Sequence, residues 1–269
     1  MNVLSRYCYL LAALAVLLHT LDKDAYGFGL TIGMVAVATA AGGILSWCSR
    51  RWNQRRRDRR AVHVLKQIVD AAKPGGHPNY VLFLRPFSTT GRLTIANPSR
   101  RWLPLLPRYF SHQNTLEFET LLSEALAPGL PLIALGRPGE HIGAGRIAIS
   151  DEQWKEAFQL LVKYASWIVL IPNDQGETRW EVEWLASHGY FSKVVLLMPP
   201  KLKSSEMDIS TYWDQVRQGL KTASVKLPAY TPAGQFFRLG KGGRFFRGRY
   251  LSKLTTRRLE TTFSEVTRP

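Results

Sequence analysis

Cysteine is almost absent from this sequence, and the two that occur, Cys8 and Cys48, read as ordinary apolar residues of a reducing compartment, so no disulfide framework is expected. Metal-ligand spacing is missing as well. His63, His77, His112, His141 and His188 are scattered along the chain, which predicts no metal site. No GxxxxGK[ST] occurs, and the GAGR at 143–146 is too short for a dinucleotide fingerprint, so no cofactor is expected. Acidic residues are few too, 20 Asp and Glu against 36 Lys and Arg, for a formal net charge of +16. The deficit is local. Residues 61–200 carry 13 basic and 12 acidic side chains, whereas residues 201–269 carry 14 and 5, and the remaining excess lies in one arginine block. A near-neutral middle weighs against a nucleic-acid-binding protein. At 269 residues the chain can hold one sizeable core plus anchoring elements, but not two full catalytic domains.

What is present first is lipid-compatible sequence. Residues 26–48 carry no charge and exceed the ~20 residues that cross a hydrocarbon core of about 30 Å. Residues 7–21 are shorter, but Arg6 can snorkel and Val3 and Leu4 can extend the helix. Two transmembrane helices are therefore expected, the rival for the first being a signal-peptide core, which lacks a small-x-small cleavage site before Asp22. Arg50, Arg51, Arg55, Arg56, Arg57, Arg59 and Arg60 follow the second segment, against Lys23 alone between the two, which places both termini in the cytoplasm at the inner membrane. The same block suits anionic headgroups, a lipid partner preferred here over nucleic acid. Gly29, Gly33, Ala36 and Ala40 form a small-residue face suited to self-association. The expected organisation is an anchor over 1–50, a basic juxtamembrane helix or linker over 51–79, and a cytoplasmic domain over 80–269.

In that domain, short apolar runs at 80–84, 132–135, 167–171 and 194–197 read as buried strands. Residues 116–126, 152–164 and 179–187 place apolar residues at helical spacing. Alternation of this kind predicts an α/β fold with a parallel sheet flanked by helices, its ligands bound beyond the carboxyl ends of the strands. Residues 210–220 read as a further helix and 234–251 as a glycine-turned hairpin. The last stretch, from Arg257, shows no core-sized apolar face and is expected to fray.

The strand ends carry the candidate site. Arg85, Pro86 and Phe87 follow the first strand. Gly136 opens a glycine-rich loop that runs to Arg146, and Asp174 lies in the polar loop ahead of Trp180 and Glu181. Two arginines, a glycine-rich loop and a carboxylate near a helix start suit a phosphorylated ribose derivative. Glu181 has two readings: a carboxylate beside a developing cation, or the far end of a capping box begun by Thr178. Arg85 and Arg146 are either ligands for phosphate or ion-paired surface residues. Trp180 and Trp184, four apart, suit the core as well as a stacked base.

The order of these elements, and above all the stretch WIVLIPNDQGETRWEVEWLASHGYFSKVVLLMP, resembles Toll/interleukin-1 receptor (TIR) domains and the related nucleoside deoxyribosyltransferases. The resemblance covers residues 80–200. It implies a TIR/flavodoxin-like sheet, a catalytic glutamate at Glu181 beside an aromatic residue, and chemistry at an N-glycosidic bond, such as that between nicotinamide and ribose in NAD. Trp184 stands where TIR domains commonly carry the glutamate, while Glu181 follows Trp180 directly, as in the transferases. The other class of function open to such a chain is a non-catalytic nucleotide-sensing or signalling module that assembles at the membrane.

Overall fold

The computed structural model describes residues 28–70, 78–86, 94–96, 115–139, 141–201, 208–240, 243–251 and 254–268. The first apolar segment, residues 7–21, lies outside them, as does Phe87. The chain divides into two compact units, Met1–Arg56 and Arg57–Pro269.

Helix α1, Phe28–Asp70, runs through that division. Free of proline and rich in alanine at its start, its 43 residues span roughly 65 Å at 1.5 Å per residue. Within the first unit Ile32, Met34, Val37, Ile44 and Trp47 are exposed. Among the described residues this one helix is long and apolar enough to cross a membrane by length and composition, and almost none of its apolar span is covered by protein. Thr39, the polar intruder, returns its hydroxyl to the Val35 carbonyl at 2.7 Å, satisfying itself inside the helix. Beyond Arg57 the pattern changes to one apolar stripe: Ala61, Val64 and Ile68 are buried in the second unit.

The second unit is built on a seven-stranded sheet in the order β5-β4-β1-β6-β7-β8-β9. Its strands are β1 Val81–Leu84, β4 Leu132–Leu135, β5 Gly145–Ile147, β6 Trp167–Leu170, β7 Val194–Met198, β8 Gln235–Leu239 and β9 Phe245–Tyr250. Strands β2 (Thr94–Ala96) and β3 (Thr115–Glu117) form a separate antiparallel pair. The helices are α2 Phe118–Leu126, α3 Trp154–Tyr164, α4 Gly176–Ser187, α5 Ile209–Gly219 and α6 Thr256–Thr267. The central strands are buried on both sides, and period-two alternation divides them between two cores. Leu82 and Leu84 join Ile168 and Leu170 beneath α3, α4, α5 and the end of α1. Val81 and Phe83 join Val169 and Val195 beneath α2 and α6.

The sheet is mixed, where the sequence suggested a parallel one. From β5 to β7 every pairing is parallel, but β8 joins β7 antiparallel and β9 follows as a hairpin. Gly234 directs that return: its φ is +64°, and a Cβ there would lie 2.6 Å from the Pro200 nitrogen. The tail also departs from expectation. Instead of fraying it forms α6, with Leu259, Phe263 and Val266 buried and the Thr255 hydroxyl accepting from the Arg258 amide at 3.3 Å.

At the opposite edge of the sheet, α1 covers β5. Asp58 Oδ1 accepts the Arg146 amide at 2.9 Å, so a helix carboxylate takes the place of a further strand. The approach requires Gly145, whose Cβ would run into the Arg57 carbonyl.

Candidate functional site

Alternation along β1 and β5 puts Arg85 and Arg146 on the α2 side of the sheet, where one carboxylate receives both. Glu119, near the start of α2, is 4 % exposed. Its Oε1 accepts from Arg146 Nη2 at 2.9 Å and from the Ala144 amide at 2.8 Å. Arg85 Nη2 lies 3.0 Å from Oε2 as an ion pair out of line for a hydrogen bond. The loop between β4 and β5 is fastened around this carboxylate. Arg57 Nη1 donates to the Gly143 carbonyl at 3.0 Å and the Thr120 hydroxyl to that of Ile142 at 2.8 Å. Gly143 must lack a side chain, because a Cβ would sit 2.6 Å from Glu119. Gly136 starts the loop with φ at +145°, a conformation side chains avoid, and its amide returns to the Ile147 carbonyl at 3.1 Å.

Glu181 lies on the other side of the sheet. Helix α4 begins at Gly176, with Gln175 at the cap and no side-chain hydrogen bond there. Thr178 is therefore the third helical residue and Glu181 the sixth. The capping-box reading fails: both face inward on one stripe with Val182 and Leu185. Glu181 is 9 % exposed, and its carboxyl makes no hydrogen bond or ion pair with a described residue. Burial, followed by repulsion from Glu177, pushes its pKa up to about 8, so the group is mostly protonated at neutral pH.

The loop that leads into α4 is held from α5. Asn173 Oδ1 accepts the Asp174 amide at 3.0 Å, and the Tyr212 hydroxyl donates to the Pro172 carbonyl at 3.3 Å. Arg179 Nη1 reaches the Asp174 carbonyl at 3.4 Å while its Nε pairs with Glu183 at 2.8 Å. Trp180 is committed to packing: its ring lies edge-on to Trp154 at 5.1 Å and to Phe158 at 5.5 Å, beneath the Lys155 ammonium at 5.1 Å.

The chain matches no family model, curated protein or solved structure. The chemistry of the side chains is what there is to read. The residues singled out in the sequence fall into two groups on opposite faces of the sheet, with Arg85, Arg146 and the Gly136 loop on one and Asp174, Trp180 and Glu181 on the other. Among the described residues no three His, Cys, Asp or Glu side chains gather to hold a metal ion.

Glu119 and Asp58 are the residues sequence reasoning overlooked. Glu119 had a visible signal, because it shares the helical stripe of Leu122 and Leu126 and so points a charge into the core. Asp58 had none, being one acid among seven arginines.

Proposed function

We propose that the protein is a membrane-anchored α/β enzyme that cleaves or transfers at the N-glycosidic bond of NAD or a related nucleotide, with Glu181 as its catalytic carboxylate. Glu181 itself carries the reading. Among the described residues this buried acid has no partner, which costs stability, and it serves there neither as a helix cap nor in an ion pair, so the reading assigns it to chemistry. The strand order supports a TIR/flavodoxin-like relationship. Without the short β5, which joins with no helix between, β4-β1-β6-β7 follows the 2-1-3-4 order of flavodoxin-like sheets. In this reading α1 is the second of two membrane spans and both termini lie in the cytoplasm. Gly33 lies on a face suited to self-association, with nothing within 4 Å of where its Cβ would be.

The raised pKa adds a step to the mechanism. The nicotinamide of NAD is a cation, and its approach to Glu181 favours the carboxylate, so binding expels a proton from the acid. The negative carboxylate then faces the positive charge that builds on the anomeric carbon as nicotinamide departs with the electron pair of the broken bond, and water, losing a proton, or a second base forms the new bond to that carbon. Purified protein supplied with NAD and a panel of nucleosides should release free base. In the free enzyme kcat/KM should rise with pH and level off above about 8. Glu181→Gln should lower turnover by about a hundredfold or more. A profile that falls through that range instead would make Glu181 a proton donor.

The second reading, a nucleotide-sensing or signalling module without turnover, rests on the other glutamate. Glu119 already engages Arg85 and Arg146, so the two cations expected to meet phosphate serve the fold instead, which favours signalling or assembly over nucleotide recognition within this reading. Folded protein that releases no base and binds no nucleotide by calorimetry would favour that form of it.

A further inference from the structure

Residues 234–250 contain Arg238, Lys241, Arg244, Arg247 and Arg249, four phenylalanines and Tyr250, and no acidic residue. Within this hairpin β8 is buried and β9 is not. Phe245, Phe246 and Tyr250 are 50, 58 and 63 % exposed. Strand β9 is also the end of the sheet: among the described residues no strand pairs with its outer side. An open edge bearing large exposed aromatics invites a partner. A second copy of the strand is disfavoured, since it would set cation against cation along the edge.

We propose that β9 and its turn form a second, peripheral membrane contact that docks on anionic lipid headgroups, with Phe245, Phe246 and Tyr250 at the interface and Arg244, Arg247 and Arg249 among the phosphates and carboxylates. The proposal rests on the reading of α1 as a membrane span. Charge complementarity selects the occupant, because exposed aromatics interleaved with arginine suit the headgroup layer. A chain already tethered to a bilayer holds this strand at high effective concentration near it. Local contacts leave the surface available. Arg249 pairs with Glu265 at 2.9 Å and Arg247 reaches the Arg268 carbonyl, while the Arg244 and Tyr250 side chains make no such contact with described residues.

Full-length protein in nanodiscs of phosphatidylcholine, with and without phosphatidylserine, tests this by amide exchange. Exchange over 243–251 should slow by about tenfold or more only in the serine-containing discs. The protection should vanish near 1 M salt, where the screening length falls to about 3 Å, and in the Arg244→Glu/Tyr250→Ser variant. Equal exchange in both discs with α1 protected overturns this proposal alone. Unprotected α1 in both discs overturns the anchor reading and this proposal together. Protection by a single-stranded oligonucleotide but not by serine lipid overturns it in favour of nucleic acid.

Discussion

Two glutamates are buried on helices that cover opposite faces of the same sheet, and they are treated in opposite ways. Around Glu119, two guanidinium groups and a backbone amide converge, so the negative charge is compensated where it is made. Around Glu181, the neighbours on its stripe are Thr178, Val182 and Leu185, and the acid keeps its proton instead. Burial alone says little about what a carboxylate does; its partners decide whether it is a rivet or a reagent. The contrast also explains why the loop from 141 to 144 sits in a web of hydrogen bonds.

The largest effect expected is on Glu119. Replacing it with glutamine removes the carboxylate that the buried Arg146 and the half-buried Arg85 share and should cost about 3–5 kcal/mol of unfolding free energy, read by denaturant titration. A loss under 1 kcal/mol would mean that the cluster contributes little and the comparison is false. Glu181→Gln should act in the opposite sense. The folded pKa of about 8 lies above the ordinary carboxyl value of 4.5. Its contribution to stability is therefore complete below 4.5 and lost as pH rises to about 8. Wild-type protein should thus unfold more easily at pH 9 than at pH 5, by up to a few kcal/mol at about 1.4 kcal/mol per pKa unit, and the glutamine variant should remove this dependence. Gly143→Ala comes next. Its methyl group would displace the Glu119 carboxylate and should cost about 1–3 kcal/mol. Smallest is Glu265→Gln, which breaks only the exposed pair with Arg249 and should change thermal unfolding by less than about 1 kcal/mol.

Much of the sheet was legible because its four central parallel strands are short apolar runs buried on both faces. Strand β5 was not, since Gly145-Arg146-Ile147 carries no apolar run and takes its place only where α1 and Glu119 receive it. The start of α4 was misjudged because Gly176, at φ +60°, reads as a turn residue although the helix begins there. Helix α6 was missed because Leu259, Phe263 and Val266 are isolated among polar residues, and only their helical spacing betrays a buried stripe. Arg85, Arg146 and Glu181 were singled out as polar residues after a strand, in a glycine-rich loop and near a helix start, and Arg146 lies instead within β5. The pairing of the arginines was not legible, because Glu119 lies 34 residues from one and 27 from the other and nothing local joins them.

The carboxylate of Asp58 on the outer amide of β5 bears on where this chain can be cut. A fragment beginning at Tyr80, where the first strand starts in sequence, loses Asp58 together with the Ala61, Val64 and Ile68 stripe. It bares a strand edge and an apolar face at once, the combination that leads excised domains to associate and precipitate. A fragment beginning ahead of Arg57 carries its own edge cover and omits the apolar stretch of α1. The natural boundary of the folded unit therefore lies inside a helix, upstream of the first strand.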